Sequence, residues 1–244
     1  MNEIIKTLSK MLNEREVVTC EELARKAIRA VFKSKLEDAL SLDRKLIQEI
    51  VDSYIECPTS LSCIHFSEKV EIGNVCFYHL HTSKPTKEKF EDAYREYVIS
   101  NRFLNAIDKI DKILKEFFNG YSIKDGIVRE YSNGKYKYAV FYSLIDDIAE
   151  DLDFHIKFAK KYDGEYVIVT LTEKDPGPFI KFFKKYSEKI KAANIKIWVA
   201  DAENGCIDPF IGYPRDFRLL KGFKNPKIAT IINSLWRVKI EKID

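Results

Sequence analysis

The residues best suited to metal chemistry lie in an acidic segment that follows residue 143. Asp147, Asp151 and His155 recur at every fourth position, so they share one face of the helix predicted there. Carboxylate oxygens with one imidazole can hold Mg²⁺ or Mn²⁺, and Asp125, earlier in the chain, is a further candidate for a catalytic set. The alternative is a solvated helix face, because acids in a first helical turn stabilise the helix electrostatically.

A second cluster combines thiols and imidazoles between positions 57 and 81. It consists of Cys57, Cys63, His65, Cys76, His79 and His81. Thiolate and imidazole are the ligands that zinc prefers, so a structural zinc site is one expectation. The spacing matches no recognised zinc knuckle, and the two-residue period of a strand puts Cys76 opposite His79 and His81. The alternative is that the cysteines are small buried apolar residues.

Basic charge is concentrated in the last third of the chain. Residues 181–227 contain 11 basic and 5 acidic side chains, a net +6, whereas residues 1–84 contain 12 and 13, a net −1. The candidate phosphate contacts, with one candidate stacking tyrosine, are Lys181, Lys184, Lys185, Arg215, Arg218, Lys221 and Tyr213. The alternative is that the lysines of a helix over 178–193 form an ordinary solvated face.

The clearest architectural pattern covers residues 136–201. Its apolar period changes between two and about 3.6, which predicts strand, helix, strand, helix and strand, an α/β core. Upstream, we expect a helix over 86–119 that is interrupted near Ser100, and then a strand over 121–131 that is kinked at Asp125-Gly126. Asn133-Gly134 indicates a hairpin turn.

The two ends of the chain predict further elements. At the amino-terminal end we expect three helices, over 2–14, from Thr19 and over 41–56, and then a hairpin around Gly73-Asn74. Thr19 and Glu22 have the spacing of a capping box. A linker at Ser83–Pro85 divides the chain into a helical domain, 1–84, and an α/β domain, 85–244. After Asp201 we expect irregular chain to 224, a helix over 225–236 and a strand over 237–243.

Three helices and a hairpin in residues 1–84 resemble a winged helix-turn-helix domain. The resemblance rests on element order, and it implies DNA binding. The net charge of −1 on this segment weakens the DNA-binding interpretation, and the alternative is a small helical domain that serves packing or dimerisation.

Residues 85–244, in a chain that is α+β overall, are similar in element order to the restriction-endonuclease-like PD-(D/E)XK fold. The alternative is a Rossmann-like three-layer sheet, and the hairpin before the first crossover favours the nuclease-like order. That family carries an acid on one strand and E-x-K on the next, and the carboxylates hold a divalent cation. Residues 138–143 have neither acid nor lysine at the matching place. The resemblance therefore implies an inactive relative that binds nucleic acid.

Composition bounds the remaining possibilities. Apolar residues make up 45% and charged residues 32%, a globular balance with a charge-rich surface that suits a thermophile. No apolar run reaches about 18 residues and no signal-peptide pattern is present, so we expect a cytoplasmic protein. Three functions remain as hypotheses: a DNA- or RNA-binding protein, a divalent-metal-dependent nuclease, and a non-enzymatic subunit that forms a homodimer or binds a protein partner.

Overall fold

The computed structural model describes residues 2–34, 40–42, 45–55, 65–172, 175–225, 228 and 231–232. It has a mixed α/β fold, as the sequence predicts. The chain divides into two compact units, unit 1 to Asn105 and unit 2 from Ala106. The division falls inside a long helix, Lys87–Phe117, and not at the linker expected at Ser83–Pro85.

Unit 1 combines helices with a small antiparallel sheet. Its elements are α1 (Asn2–Met11), β1 (Val17–Val18), α2 (Cys20–Lys33), α3 (Lys45–Ile55), β2 (Phe66–Ile72), β3 (Val75–Leu80) and the first part of α4 (Lys87–Phe117). The hairpin around Gly73-Asn74 is confirmed, and Gly73 takes the positive φ that this turn requires. Strand β1 was not predicted, because two residues are too short to show a period. It pairs with β3, so the strand order is β1-β3-β2.

Buried charges join the elements of unit 1. The hydroxyl of Thr19 accepts a hydrogen bond from the backbone N–H of Glu22, as the cap spacing predicts. Arg25 on α2 is buried, and it donates to Ser100 Oγ at 3.0 Å and to Glu96 Oε2 at 2.6 Å. The expected interruption of the helix near Ser100 is wrong, because Ser100 is buried against Arg25 and α4 runs through it.

Unit 2 contains a six-stranded mixed sheet with helices in its crossovers. After α4 follow β4 (Ser122–Lys124), β5 (Val128–Ser132), β6 (Lys137–Tyr142), α5 (Ile145–Glu150), α6 (Leu152–Lys161), β7 (Glu165–Leu171), α7 (Gly177–Ala192), β8 (Ile195–Asp201) and β9 (Cys206–Ile211). The strands lie side by side in chain order. Pairs β6–β7 and β7–β8 are parallel, and the other pairs are antiparallel.

Several expectations for unit 2 were wrong in detail. The strand expected over 121–131 is two antiparallel strands, because the chain reverses at Asp125-Gly126 where a kink was expected. Strand β9 lies within the stretch expected to be irregular. Its Pro209 is tolerated because, among the described residues, β9 pairs only with β8 and forms an edge of the sheet. The predicted helix over 225–236 is described only in part, and the predicted strand over 237–243 lies outside the described residues.

An aromatic core holds the segment after β9 in place. Phe118 stacks on Tyr131 with ring centroids 4.3 Å apart, and Trp198 packs edge-on against Phe223 at 5.3 Å. The indole Nε1–H of Trp198 donates to the carbonyl of Gly212 at 3.2 Å. The start of the loop after β9 is therefore hydrogen-bonded to a fully buried side chain. Among the described helices, none is both long and apolar enough to span a bilayer.

Candidate functional site

Two pockets flank Arg215 near the amino-terminal ends of the parallel strands β6, β7 and β8. Pocket A has a volume of about 420 Å³, and its wall includes Lys191, Asn194, Lys196, Tyr213, Arg215 and Phe217. Pocket B has a volume of about 370 Å³, shares Arg215, and its wall also includes Ser132, Lys135, Tyr136, Lys137, Asp163 and Glu165. Open α/β sheets of the Rossmann type bind ligands at the opposite, carboxyl ends of their strands.

A buried ion pair stands between the two pockets. Glu165, the first residue of β7, and Lys196 of β8 are both almost fully buried, and Lys196 Nζ lies 2.9 Å from Glu165 Oε2. The other carboxylate oxygen of Glu165 accepts the backbone N–H of Arg215 at 2.9 Å and lies 3.7 Å from Arg215 Nε. Glu165 thus fixes the backbone of Arg215, while 67% of that arginine side chain remains exposed.

The loop after β9 alternates between inward and outward side chains. Pro214 and Asp216 are buried, whereas Tyr213, Arg215 and Phe217 are exposed. The exposed fraction reaches 66% for Tyr213 and 77% for Phe217, large values for aromatic residues. The loop therefore presents two rings with a guanidinium between them.

Asp216 anchors this loop from the inside. Its carboxylate accepts hydrogen bonds from Arg218 and from the hydroxyl of Tyr121, and its backbone N–H donates to Tyr138 Oη at 3.1 Å. The Arg218 guanidinium is the main reason why the pKa of Asp216 lies well below its usual range. Burial, and then the bond to Asp216, raise the pKa of Tyr121.

The basic residues predicted from the sequence are distributed over three elements. Tyr213 and Arg215 lie together in pocket A, whereas Lys181, Lys184 and Lys185 are exposed on α7. Arg218 and Lys221 lie on a 3-10 helix, Phe217–Gly222, where the charge of Arg218 is balanced by Asp216.

Helix α7 extends the basic surface away from pocket A. Lys184 and Lys191 are seven residues apart, so they share a helix face about 10 Å apart along the axis. Lys191 lines pocket A and lies 3.2 Å from Glu188. The surface made of Lys184, Lys191, pocket A and Arg215 is termed here the Arg215 surface.

Lys196 and Glu165 are members of the pockets that were not predicted from the sequence. Lys196 and Glu165 pair across 31 positions of the chain, which no local pattern reveals. Phe217 belongs to the alternation of aromatic and basic residues from Tyr213 to Arg218, a pattern that is visible in the sequence.

The predicted acidic helix is two helices, α5 and α6, which meet at Asp151, so the expectation of one continuous helix is wrong. This segment faces the interior with the three residues proposed for metal binding. Asp147, Asp151 and His155 are buried, so the expectation of a solvated face is wrong for them, and the neighbouring Asp146, Glu150 and Asp153 form the exposed face. His155 Nδ1 is hydrogen-bonded to Tyr166 Oη at 2.8 Å. Burial and the nearby Asp151 carboxylate raise the pKa of Tyr166.

Asp125 lies apart from that helix, on the turn before β5. Its side chain is exposed, and its carboxylate lies 3.1 Å from Arg129 Nε. Arg129 on β5 also forms an ion pair with Asp111 of α4, and it donates to the hydroxyl of Tyr142, which donates to Asp111 at 2.7 Å. The carboxylates of Asp111 and Asp125 therefore both pair with the Arg129 guanidinium.

The thiol and imidazole cluster has separate partners in its described part. Cys76 Sγ lies 3.7 Å from Glu71 Oε1, His79 Nδ1 lies 2.9 Å from the Leu80 carbonyl, and His81 Nδ1 is bonded to Ser67 Oγ. Cys57 and Cys63 lie outside the described residues, and His65 is described. Within the described ranges, no three His, Cys, Asp or Glu side chains are grouped so as to hold a metal ion.

Comparison with known proteins identifies two adjoining family regions. A family model described as domain of unknown function (DUF6834), C-terminal domain, matches residues 96–225, which is more than half of the 244-residue chain. A model described as domain of unknown function (DUF6846) matches residues 3–94. The two matches meet inside α4. No curated protein matches the chain. By the extent of the first match, the chain belongs to the family of the DUF6834 C-terminal domain.

Proposed function

We propose that the chain binds nucleic acid through the Arg215 surface of unit 2 without cleaving it. The observation that carries the proposal is the exposed Arg215 between two pockets, each of which contains lysines and an aromatic ring. Lysine and arginine bind phosphates, and exposed rings stack on bases. The exposed rings distinguish this surface from one that could contact phosphates only.

Unit 1 supports the proposal less strongly than unit 2. Its strand order, with β1 paired to β3 beside three helices, is consistent with the expected winged-helix resemblance. In such a domain the second helix of the helix-turn-helix, here α3, would enter the major groove. The exposed side of α3 carries Lys45 but also Glu49 and Asp52. Two carboxylates against one ammonium repel a phosphate backbone, so the proposal places nucleic acid on unit 2.

The candidate acid next to β5, Asp125, is paired with an arginine. Its partner is Arg129, which also pairs with Asp111 of α4. A metal ion at Asp125 would have to compete with this guanidinium. On this basis we favour a binding role over the metal-dependent nuclease.

A titration of the full chain with fluorescent oligonucleotides tests the proposal. We expect binding at about 50 mM salt that weakens steeply towards about 200 mM, because phosphate contacts release counterions. Arg215→Ala should weaken it, whereas Lys160→Ala, which changes an exposed lysine on α6 outside both pockets, should not. No affinity for DNA or RNA at the lower salt would refute binding, and Mg²⁺-dependent cleavage of the oligonucleotide would refute the non-catalytic part.

A second candidate function is self-association through α4 in unit 1. Three apolar side chains there are unusually exposed: Tyr94 by 52%, Val98 by 47% and Ile99 by 44%. Tyr94 and Val98 are one helical turn apart and so form a contiguous strip. If a second copy of the chain covers it, light scattering should give a dimer that Val98→Glu dissociates, while Ile72→Glu, at an exposed hairpin position, has no effect. A strict monomer would exclude this candidate.

A further inference from the structure

We propose that pockets A and B hold unpaired nucleotides, so that the protein selects single-stranded nucleic acid over blunt duplex. This inference rests on the proposed function and specifies its ligand. The volumes of the pockets, about 420 and 370 Å³, lie within the range of about 300–1,000 Å³ that is usual for small-molecule sites, and both pockets are open to solvent on one side. A base that is stacked and paired inside a duplex cannot enter such a pocket, whereas an unpaired base can.

Pocket A has the groups that a whole nucleotide requires. The exposed rings of Tyr213 and Phe217 offer faces for stacking, and Lys191 and Arg215 are exposed cations for a phosphate. Asn194 adds an amide, which is donor and acceptor in one side chain and can read the edge of a base. Its Oδ1 lies 3.4 Å from Lys196 Nζ, so the amide sits beside the buried ion pair.

Pocket B differs from pocket A because acidic side chains are part of its wall. Asp163 and Glu165 line it together with Lys135 and Lys137, and the Lys135 ammonium lies 5.1 Å from the centre of the Tyr136 ring. Carboxylates repel phosphate, but that of the exposed Asp163 can accept hydrogen bonds from the amino group of a base, whereas both oxygens of Glu165 already have partners. Pocket B therefore suits a base, with its phosphate on the side of Arg215.

Arg215 is the residue that connects the two pockets into one site. It borders both, and its backbone is fixed by Glu165 while its guanidinium remains in solvent. A guanidinium can bind a phosphate through two parallel hydrogen bonds. A phosphodiester on Arg215 would place the nucleotide on one side in pocket A and its neighbour in pocket B. This arrangement suits consecutive units of a strand better than a free mononucleotide.

The buried ion pair of Glu165 and Lys196 lies beneath the two pockets and is already formed without a ligand. Lys196 and Glu165 neutralise each other in the interior, so ligand binding need not pay for burying either charge. The accessible cations of pocket A are Arg215 and Lys191, of which Lys191 also pairs with the exposed Glu188, and they favour an anionic ligand. An acidic peptide would use the cations but has no planar base for the two rings, so the observations favour a nucleic-acid strand.

The test compares three labelled ligands with the full chain: a single strand of 12 nucleotides, a blunt duplex and the same duplex with a single-stranded overhang. Each is made as DNA and as RNA. We expect the single strand and the overhang duplex to bind at least about tenfold more tightly than the blunt duplex. Tyr213→Ala and Phe217→Ala should each weaken single-strand binding by roughly 5- to 150-fold, the range for loss of one stacked base. Blunt-duplex affinity should not change.

A matched control uses Phe154→Ala, because Phe154 is an exposed ring on α6 with the Lys157 ammonium 5.3 Å from its centre. This variant should bind like the wild type. A single strand with 2-aminopurine should lose its fluorescence on binding and regain part of it with Tyr213→Ala, which a purely structural role would not produce.

The outcomes separate the inference from the proposed function. Equal affinity for blunt duplex and single strand, with no effect of Tyr213→Ala, overturns the inference and leaves nucleic-acid binding in place. Displacement of the strand by adenosine monophosphate at similar concentration overturns the two-pocket arrangement. No binding of any of the three ligands overturns both.

Discussion

Arg129 and Asp111 form an ion pair in the interior of unit 2, between β5 and α4. Both are nearly buried, and Tyr142 of β6 bonds to each of them. One network there joins α4 to the hairpin of β5 and β6. Because a buried charge without its partner is costly, the network makes its members mutually dependent.

Replacing Arg129 alone should therefore destabilise the protein severely. We expect Arg129→Met to lower the free energy of unfolding by about 3–5 kcal/mol, because Asp111 would be left as a buried carboxylate without its counter-ion. Urea unfolding followed by tryptophan fluorescence measures this. The double variant Arg129→Met with Asp111→Leu should recover much of the loss. Equal stability of the single and double variants would contradict the pairing.

Asp216 should make the free energy of unfolding depend on pH under acidic conditions. The Arg218 guanidinium lowers the pKa of Asp216 in the folded protein, so the unfolded chain, with a pKa of about 3.9, binds the proton at a higher pH than the folded one. The stabilisation is therefore complete at neutral pH and is lost as the pH falls below about 4 towards the folded value. Wild type and Asp216→Asn should differ in unfolding midpoint at pH 7, and less at pH 3.

A matched variant separates charge from capping at the same residue. Asp216 precedes the 3-10 helix and accepts the backbone N–H of Arg218 at 3.0 Å. Asp216→Ala removes this cap and should cost about 0.5–2 kcal/mol beyond the loss of charge, whereas Asn can still cap. If the two variants are equally stable at every pH, the cap contributes nothing.

The α/β core could be predicted from the sequence because its strands are buried on both faces. Every residue of β7 and β8 is buried, which gives two dense apolar runs between amphipathic helices. Strands β1 and β9 could not be predicted, because one has two residues and the other contains Pro209. Their pairing depends on β3 and β8, which lie elsewhere in the chain.

The site could be predicted only where its residues are neighbours in sequence. Tyr213 and Arg215 share one loop, so their alternation was visible, whereas Glu165 and Lys196 meet only through the sheet. The acidic segment over α5 and α6 shows the same limit on what the sequence can predict. Both of its acidic faces have similar composition, and the packing of α5 and α6 decides that Asp147, Asp151 and His155 are inside.

Gly164 should be intolerant of any side chain. A Cβ there would lie 2.7 Å from the backbone carbonyl of Lys137, which cannot move without disturbing β6. We expect Gly164→Ala to lower the free energy of unfolding by about 1–3 kcal/mol, the usual cost of overpacking. Gly205→Ala is the control, because Gly205 also has a positive φ but no heavy atom within 4 Å. An equal effect of the two changes would exclude the steric contact as the cause.

The lysines of α7 provide a prediction about ionic strength. If Lys184 and Lys191 each contact a phosphate, replacing either by glutamine removes one released counterion. The slope of log affinity against log salt should then become less negative by about 0.7 for a single strand, with a similar loss for every sequence tested. The measurement is a set of anisotropy titrations between about 50 and 200 mM salt.

Two features of α7 sharpen this prediction. Lys191 lies 3.2 Å from Glu188, so its contact with phosphate competes with a neighbouring carboxylate, and Lys191→Gln should change the slope no more than Lys184→Gln. Glu188→Gln removes that competitor and should strengthen binding at low salt. Lys160→Gln on α6 serves as control and should leave the slope unchanged. Equal slopes for all four variants and the wild type would show that the strand does not follow α7.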